Sequence, residues 1–239
     1  MHKKKSLGQH FLNNKDLLGA VVDAAIITKG EMVVEIGPGE GTLTAVLLER
    51  GAKVVALEKD TRLIELLKNK FVGKKLEVIE GDALDFDPTT YKLKPGAYKV
   101  VGNVPYYITG ALFKKFLTTK HQPDTLVFLV QKEVAERIAR SKKESILSLS
   151  VKAYGIPKYI KTVPAGAFVP PPKVDSAILL VSDISRKNFK NNAHEEKFFE
   201  LVKKAFSSKR KMLRSTLGID SDKRPEDLTL EEWLELAKH

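Results

Sequence analysis

Short apolar runs alternate with helical spacings along the first two-thirds of the chain. Residues 32–37, 53–58, 76–80, 98–102 and 125–130 are rich in Val, Ile and Leu and read as strands. Residues 42–50, 61–71, 109–118 and 132–139 space their apolar positions as helices do. The strand segments are nearly continuous apolar runs rather than alternating ones, as expected where both faces of a strand are covered. Strand and helix in alternation predict a doubly wound α/β domain built on a parallel sheet. Ligands of such sheets bind beyond the carboxyl ends of the strands, so the residues that follow each strand are the candidates for chemistry.

A further helix is predicted over 146–154, then the segment 159–163, a Pro-rich stretch over 168–172 and a strand over 177–181. From Arg186 the pattern turns helical, with Phe198, Phe199, Val202 and Phe206 at amphipathic spacing and Leu213, Leu217, Leu228, Leu230, Trp233 and Leu236 after them. The expected division is an α/β domain over 1–185 and a small all-helical domain over 186–239.

A chain of 239 residues is long enough to bury a full core. It has no apolar run of membrane-spanning length, and its basic start leads into no apolar central region, so a cytoplasmic, non-secreted protein without membrane attachment is expected. Cysteine is absent, which excludes disulfides, thiolate nucleophiles and Cys-based zinc sites; no metal site is expected. The formal charge is +11 and unevenly spread. Lys3 to Lys5 form one basic cluster, and Lys203, Lys204, Lys209, Arg210, Lys211 and Arg214 form another. Such clusters suit phosphate through counterion release, although a solvated surface gives the same pattern.

The densest motif is Glu35-Ile36-Gly37-Pro38-Gly39-Glu40-Gly41-Thr42, a strand ending in glycines that feed a helix. Glycine there allows close approach of a ligand to the main chain, and a purely structural turn would look similar. Glu58 ends the next strand, where a carboxylate can take the hydroxyls of a ribose. Asp82, followed by Ala83, ends the third and is placed to meet an adenine amine. The third glycine comes earlier than in a dinucleotide fingerprint, which disfavours a pyrophosphate ligand. An adenosine without phosphates, such as that of S-adenosylmethionine, fits better.

Asn103-Val104-Pro105-Tyr106-Tyr107 follows the fourth strand, on the same sheet edge as the glycine turn. The exocyclic amine of adenine is a poor nucleophile, because its lone pair is delocalised into the ring. The Asn103 side-chain oxygen and a nearby main-chain carbonyl can accept both of its N–H bonds and aim the lone pair at a methyl donor. Pro105 stiffens the turn and Tyr106 offers a ring for base stacking. A turn plugged by an aromatic residue is the alternative reading, and Tyr107 is expected to pack rather than react.

Gly8-Gln9-His10-Phe11-Leu12, the glycine turn, Gly81-Asp82-Ala83, Asn103 to Tyr106 and Phe168-Val169-Pro170-Pro171-Pro172-Lys173-Val174-Asp175-Ser176 occur in the order found in ribosomal RNA adenine dimethyltransferases. The resemblance covers nearly the whole chain and is strongest to the small-subunit (KsgA) type. It implies a Rossmann-like class I methyltransferase sheet, S-adenosylmethionine as methyl donor, and S-adenosylhomocysteine as product. The implied substrate is two adjacent adenosines in the 3′-terminal hairpin of 16S rRNA within a pre-assembled small subunit, and a monomer is expected. On this likeness His10 and Leu12 join Gly37, Gly39, Glu58, Asp82, Ala83 and Asn103 around the cofactor. Phe168 joins Asn103, Pro105 and Tyr106 near the base, and Lys209, Arg210, Lys211 and Arg214 face RNA. Val104 stands where leucine is commoner, and the helical region is somewhat short. The competing readings are a large-subunit (Erm-type) methyltransferase, a ribosome-assembly factor in which methylation is secondary, and, weakest, a nicotinamide oxidoreductase.

Overall fold

The computed structural model describes residues 10–208 and 211–238. Its central sheet contains β1 (Met32–Ile36), β2 (Lys53–Glu58), β3 (Leu76–Glu80), β4 (Lys99–Asn103), β5 (Thr125–Gln131), β6 (Ile156–Val163) and β7 (Ser176–Ser182). The strands lie in the order β3-β2-β1-β4-β5-β7-β6. The first five pair in parallel, as expected. β7 runs antiparallel to both of its neighbours. The Pro-rich connection between β6 and β7 holds no long helix to carry the chain back over the sheet, so it can only reverse direction.

Helices α1 (Lys15–Ala24) to α6 cover the two faces: α2 (Thr42–Glu49), α3 (Thr61–Lys70), α4 (Thr109–Thr118), α5 (Lys132–Ala139) and α6 (Ile146–Lys152). α1 was not among the predicted helices. It starts where the Asn14 side chain accepts from the Leu17 amide, and it buries Leu17, Leu18, Val21 and Val22 on one face. Within β1, Val34 and Ile36 pack with Leu112, Phe113 and Phe116 of α4, while Val33 packs on the opposite face with residues of α1 and α2. That two-sided burial is the cause of the continuous apolar runs. β3 departs from it: none of its five residues is fully buried, because it is an edge strand.

The strand ends are level. Ile36 pairs with Leu57 on one side and Gly102 on the other, and Glu58 pairs with Glu80. Gly37, Glu58, Gly81 and Asn103 therefore leave the sheet along one edge. β1 and β4 are neighbours in space but not in sequence, which makes the crevice between them the topological switch point. Gly102 is required beside it, since a Cβ there would stand 2.8 Å from the Ile36 carbonyl oxygen.

After Arg186 come α7 (Asn192–Phe206), α8 (Leu213–Thr216) and α9 (Leu230–Leu236). Their apolar residues, including Phe198, Val202, Phe206, Leu213 and Trp233, belong to the same contiguous cluster as the α4 face of the sheet. Acidic residues near the C-terminus form ion pairs, with Asp222 holding Arg214, Glu226 holding Lys143 and Glu232 holding Lys223. Among the described residues no helix is long and apolar enough to cross a membrane.

Candidate active site

The glycine turn is set by backbone geometry. Gly37, Gly39 and Gly41 have φ of +65°, +60° and +79°, a region that strains any residue with a Cβ. At Gly39 a Cβ would also stand 2.5 Å from the Phe11 ring. Glu58 lies behind the turn, 4% exposed. Its Oε2 accepts from the Gly39 amide at 3.1 Å, and its Oε1 from the Lys59 and Asp60 amides at 2.9 Å each. Burial raises its pKa while these three amides pull it down. A carboxylate has about four acceptor positions, so roughly one, on Oε2, is left for a ribose hydroxyl rather than the pair of positions expected.

Below the turn Glu35 is fully buried, its Oε2 accepting from the Thr44 hydroxyl at 2.6 Å. Burial pushes its pKa up to about 8, with the Glu58 charge adding to the rise. At the end of β3, Asp82 accepts from the Leu84 amide at 3.0 Å and from the Lys59 ammonium at 2.9 Å. These bonds hold its carboxyl below the usual range, as an ionised acceptor at the cavity wall.

Across the cavity, Asn103 is the last residue of β4 rather than the first of a loop. Its Nδ2 donates to the main-chain oxygen of His10 at 2.6 Å. An amide that donates on one side presents its oxygen on the other, so Oδ1 is left free of that bond to act as an acceptor. Pro105 precedes a single 3-10 turn, Tyr106–Ile108, closed by the Ile108 amide donating to the Pro105 carbonyl at 3.2 Å. The Tyr106 hydroxyl bonds Ser176 Oγ at 2.7 Å, which anchors its half-buried ring, and that ring lies 23° from the plane of the His10 imidazole, with centroids 6.2 Å apart. His10 Nδ1 lies 2.7 Å from the Pro170 carbonyl oxygen, so the segment before α1 and the Pro-rich loop are tied together beside Asn103.

One cavity is thus lined by His10, Gly37, Gly39, Glu58, Asp82, Ala83, Asn103, Pro105 and Tyr106, nine of the predicted residues. Leu12 and Phe168 lie elsewhere. They face each other across a two-residue antiparallel pairing of Phe11–Leu12 with Phe168–Val169, and both are buried in the core. Neighbouring residues of a strand point to opposite sides, so Phe11 rather than Leu12 lines the cavity. Tyr107 corrects the other way: it does not pack but stands 73% exposed at the cavity wall. Lys59 is a further lining residue that the motifs did not indicate. Of the predicted RNA-facing residues, Lys211 and Arg214 are exposed, whereas Lys209 and Arg210 lie outside the described residues. Arg214 is engaged by Asp222 at 2.9 Å.

The residues present fit an adenosyl ligand. Glycine backbone, an acceptor carboxylate on β2 and an ionised Asp82 after β3 line one half of the cavity, and the Asn103 turn lines the other. A sheet with this strand order and one reversed strand, carrying its site at the β1/β4 switch point, defines a Rossmann-like methyltransferase. The chain belongs to the ribosomal RNA adenine dimethylase family, whose family model matches residues 1–231. It is 39% identical to a "Ribosomal RNA small subunit methyltransferase A" of Dehalococcoides mccartyi (strain CBDB1), covering 98% of this chain and 87% of that one. A protein of the same name from Fusobacterium nucleatum is also 39% identical, with 99% and 97% covered. Among solved structures, a dimethyladenosine transferase from Plasmodium falciparum superimposes with a TM-score of 0.77 at 32% identity, over 88% of this chain and 76% of that one. The 23S rRNA methyltransferase ErmE superimposes with a TM-score of 0.80 at 25% identity, over 95% and 98%.

Proposed function

We propose that this enzyme uses S-adenosylmethionine to dimethylate the N6 amines of two adjacent adenosines in the 3′-terminal hairpin of 16S rRNA. The observation that carries the reading is the Asn103 amide, whose Nδ2 is committed to the His10 carbonyl at 2.6 Å. That bond leaves Oδ1 to accept from a substrate amine. S-adenosylmethionine, when bound, supplies an electrophilic methyl group on a sulfonium. The chain's own residues hold the acceptor. In the first transfer Asn103 Oδ1 and the adjoining main-chain carbonyl of Val104 accept from the two amine N–H groups, which pulls the nitrogen away from planarity and returns its lone pair to the reaction. The methylated nitrogen then loses one proton to solvent, and the single N–H that remains is held for the second transfer. Tyr106, fixed by Ser176, holds the face of the base. Glu58 and Asp82 hold the adenosyl end, with His10, Gly37, Gly39 and Ala83 around them. Leu12 and Phe168 are core residues outside the cavity, paired with each other next to Phe11.

The exposed lysines of α7, Lys203 and Lys204, with Lys211 and Arg214 and the neighbouring Lys209 and Arg210, supply the phosphate-facing surface of the small unit over 186–239. The small-subunit target follows the names of relatives at 39% identity, against 25% for the large-subunit enzyme of similar fold. A pre-assembled small subunit as substrate, a monomeric enzyme and a cytoplasmic location belong to the same reading.

Incubation with labelled S-adenosylmethionine and unmethylated small subunits, followed by nucleoside analysis, tests it. The expected product is N6,N6-dimethyladenosine from two neighbouring positions. Label in large-subunit RNA would move the target, and label in neither would overturn the assignment.

A further inference from the structure

Tyr107 is the only exposed aromatic side chain among the described residues, and it stands at the wall of the active-site cavity. A single exposed apolar residue needs no explanation in general, but an unburied ring at the mouth of a nucleic-acid site does. The 3-10 turn divides the work of the two tyrosines. Tyr106 points inward and is pinned to Ser176, while Tyr107, the next residue, is 73% exposed. Lys59 lines the same cavity, with its side chain 65% exposed and its charge within electrostatic reach of the Tyr107 phenol. Lys59 is paired to Asp82, but an exposed pair of this kind is weakly held and leaves the ammonium available to a second anion. An open aromatic face next to an available cation is the combination that single-stranded nucleic acid uses, base on ring and phosphate on charge.

We infer that Tyr107 is a second stacking platform, which receives the unpaired base next to the adenosine held on Tyr106, with Lys59 facing the intervening phosphate. This rests on the proposed RNA substrate and specifies its form: a target adenosine presented with an unstacked neighbour, not an isolated base within a duplex. The platform acts on substrate binding and register, not on transfer, because the ring stands outside the Asn103 acceptor group.

The test is steady-state methylation of unmethylated small subunits by the wild type, Tyr107→Phe and Tyr107→Ala, with calorimetry of S-adenosylmethionine on each. Tyr107→Ala should raise KM for subunits on the order of tenfold, with kcat within about twofold and cofactor affinity unchanged. Tyr107→Phe, which keeps the ring, should stay within about twofold of wild type. An unchanged KM in Tyr107→Ala overturns the inference. So does a parallel loss of cofactor affinity, which would make the ring part of the adenosyl site. Equal damage from the two variants overturns it too, since the hydroxyl would then be the working group. A wild type that fails to label any subunit rejects the proposed function itself and is distinguishable from all of these.

Discussion

The two halves of the active-site cavity are built from opposite materials. In the half proposed to hold the adenosyl group the protein makes its contacts in advance: Glu58 is buried and holds three main-chain amides, and Gly39 carries the Phe11 ring against its α-carbon. In the base-facing half one committed bond, Asn103 Nδ2 to the His10 carbonyl, sets the acceptor, and beyond Tyr106 the wall opens to solvent at Tyr107. The difference matches what each half would hold. A small cofactor of constant shape suits a site whose polar groups are already fixed. A nucleotide arriving on a large RNA suits a shallow, open wall whose contacts form on arrival.

Substitutions should separate the halves. The largest effect is expected from Asn103→Ala, which removes the acceptor proposed to act on the reacting nitrogen. Its kcat should fall by roughly 10²- to 10³-fold, with S-adenosylmethionine affinity changed by less than about threefold in calorimetry. A kcat within tenfold of wild type would place the amine's acceptor elsewhere. A ribosome-assembly role, if dominant, would survive this variant, so subunit maturation in cells carrying it reads out the binding-factor alternative. Glu58→Ala should act on the other half, weakening S-adenosylmethionine about 10- to 100-fold through loss of a charged acceptor. It also orphans three amides, so its melting temperature must be followed in parallel. Unchanged cofactor affinity in a folded Glu58→Ala protein would remove Glu58 from the adenosyl site.

The same contrast explains how much was legible in the sequence. The glycine-turn side of the cavity could be read because backbone conformation dictates residue type: positive φ at Gly37 and Gly39 admits little but glycine, and Glu58 and Asp82 stand at the carboxyl ends of strands, where such sheets place their ligands. The Asn103 to Tyr106 turn was legible by its place after β4. Three features were hidden for physical reasons. Which of Phe11 and Leu12 faces the cavity depends on the partner strand, and a two-residue strand has no period to reveal its phase. The Lys59–Asp82 pair depends on the register of β2 and β3 across 23 positions. The outward direction of Tyr107 follows from a 3-10 turn of only three residues. α1 was different, since Leu17, Leu18, Val21 and Val22 after Asn14 carry a readable helical signal.

The smallest expected effect concerns the floor of the adenosyl half. Glu35 has no open face to water, and its pKa is pushed up to about 8, so the folded protein keeps it protonated at neutral pH. In the unfolded chain the same group loses its proton in the ordinary carboxylate range, near 4.3 by model peptides, about four units lower. Between those limits the folded state binds the extra proton, so stability contributed by this group falls as pH rises and stops falling above about 8. The slope is at most about 1.4 kcal/mol per pH unit. Glu35→Gln keeps the shape and cannot ionise, so it lacks this slope. Urea unfolding at pH 6 and pH 7 should show the wild type losing about 1 kcal/mol relative to Glu35→Gln over that single unit. Parallel behaviour of the two proteins would mean that Glu35 is already ionised when folded, with its charge accommodated by Thr44. The glycine turn would then rest on a buried anion rather than a neutral acid, and the adenosyl half would carry one more negative charge beneath Gly37.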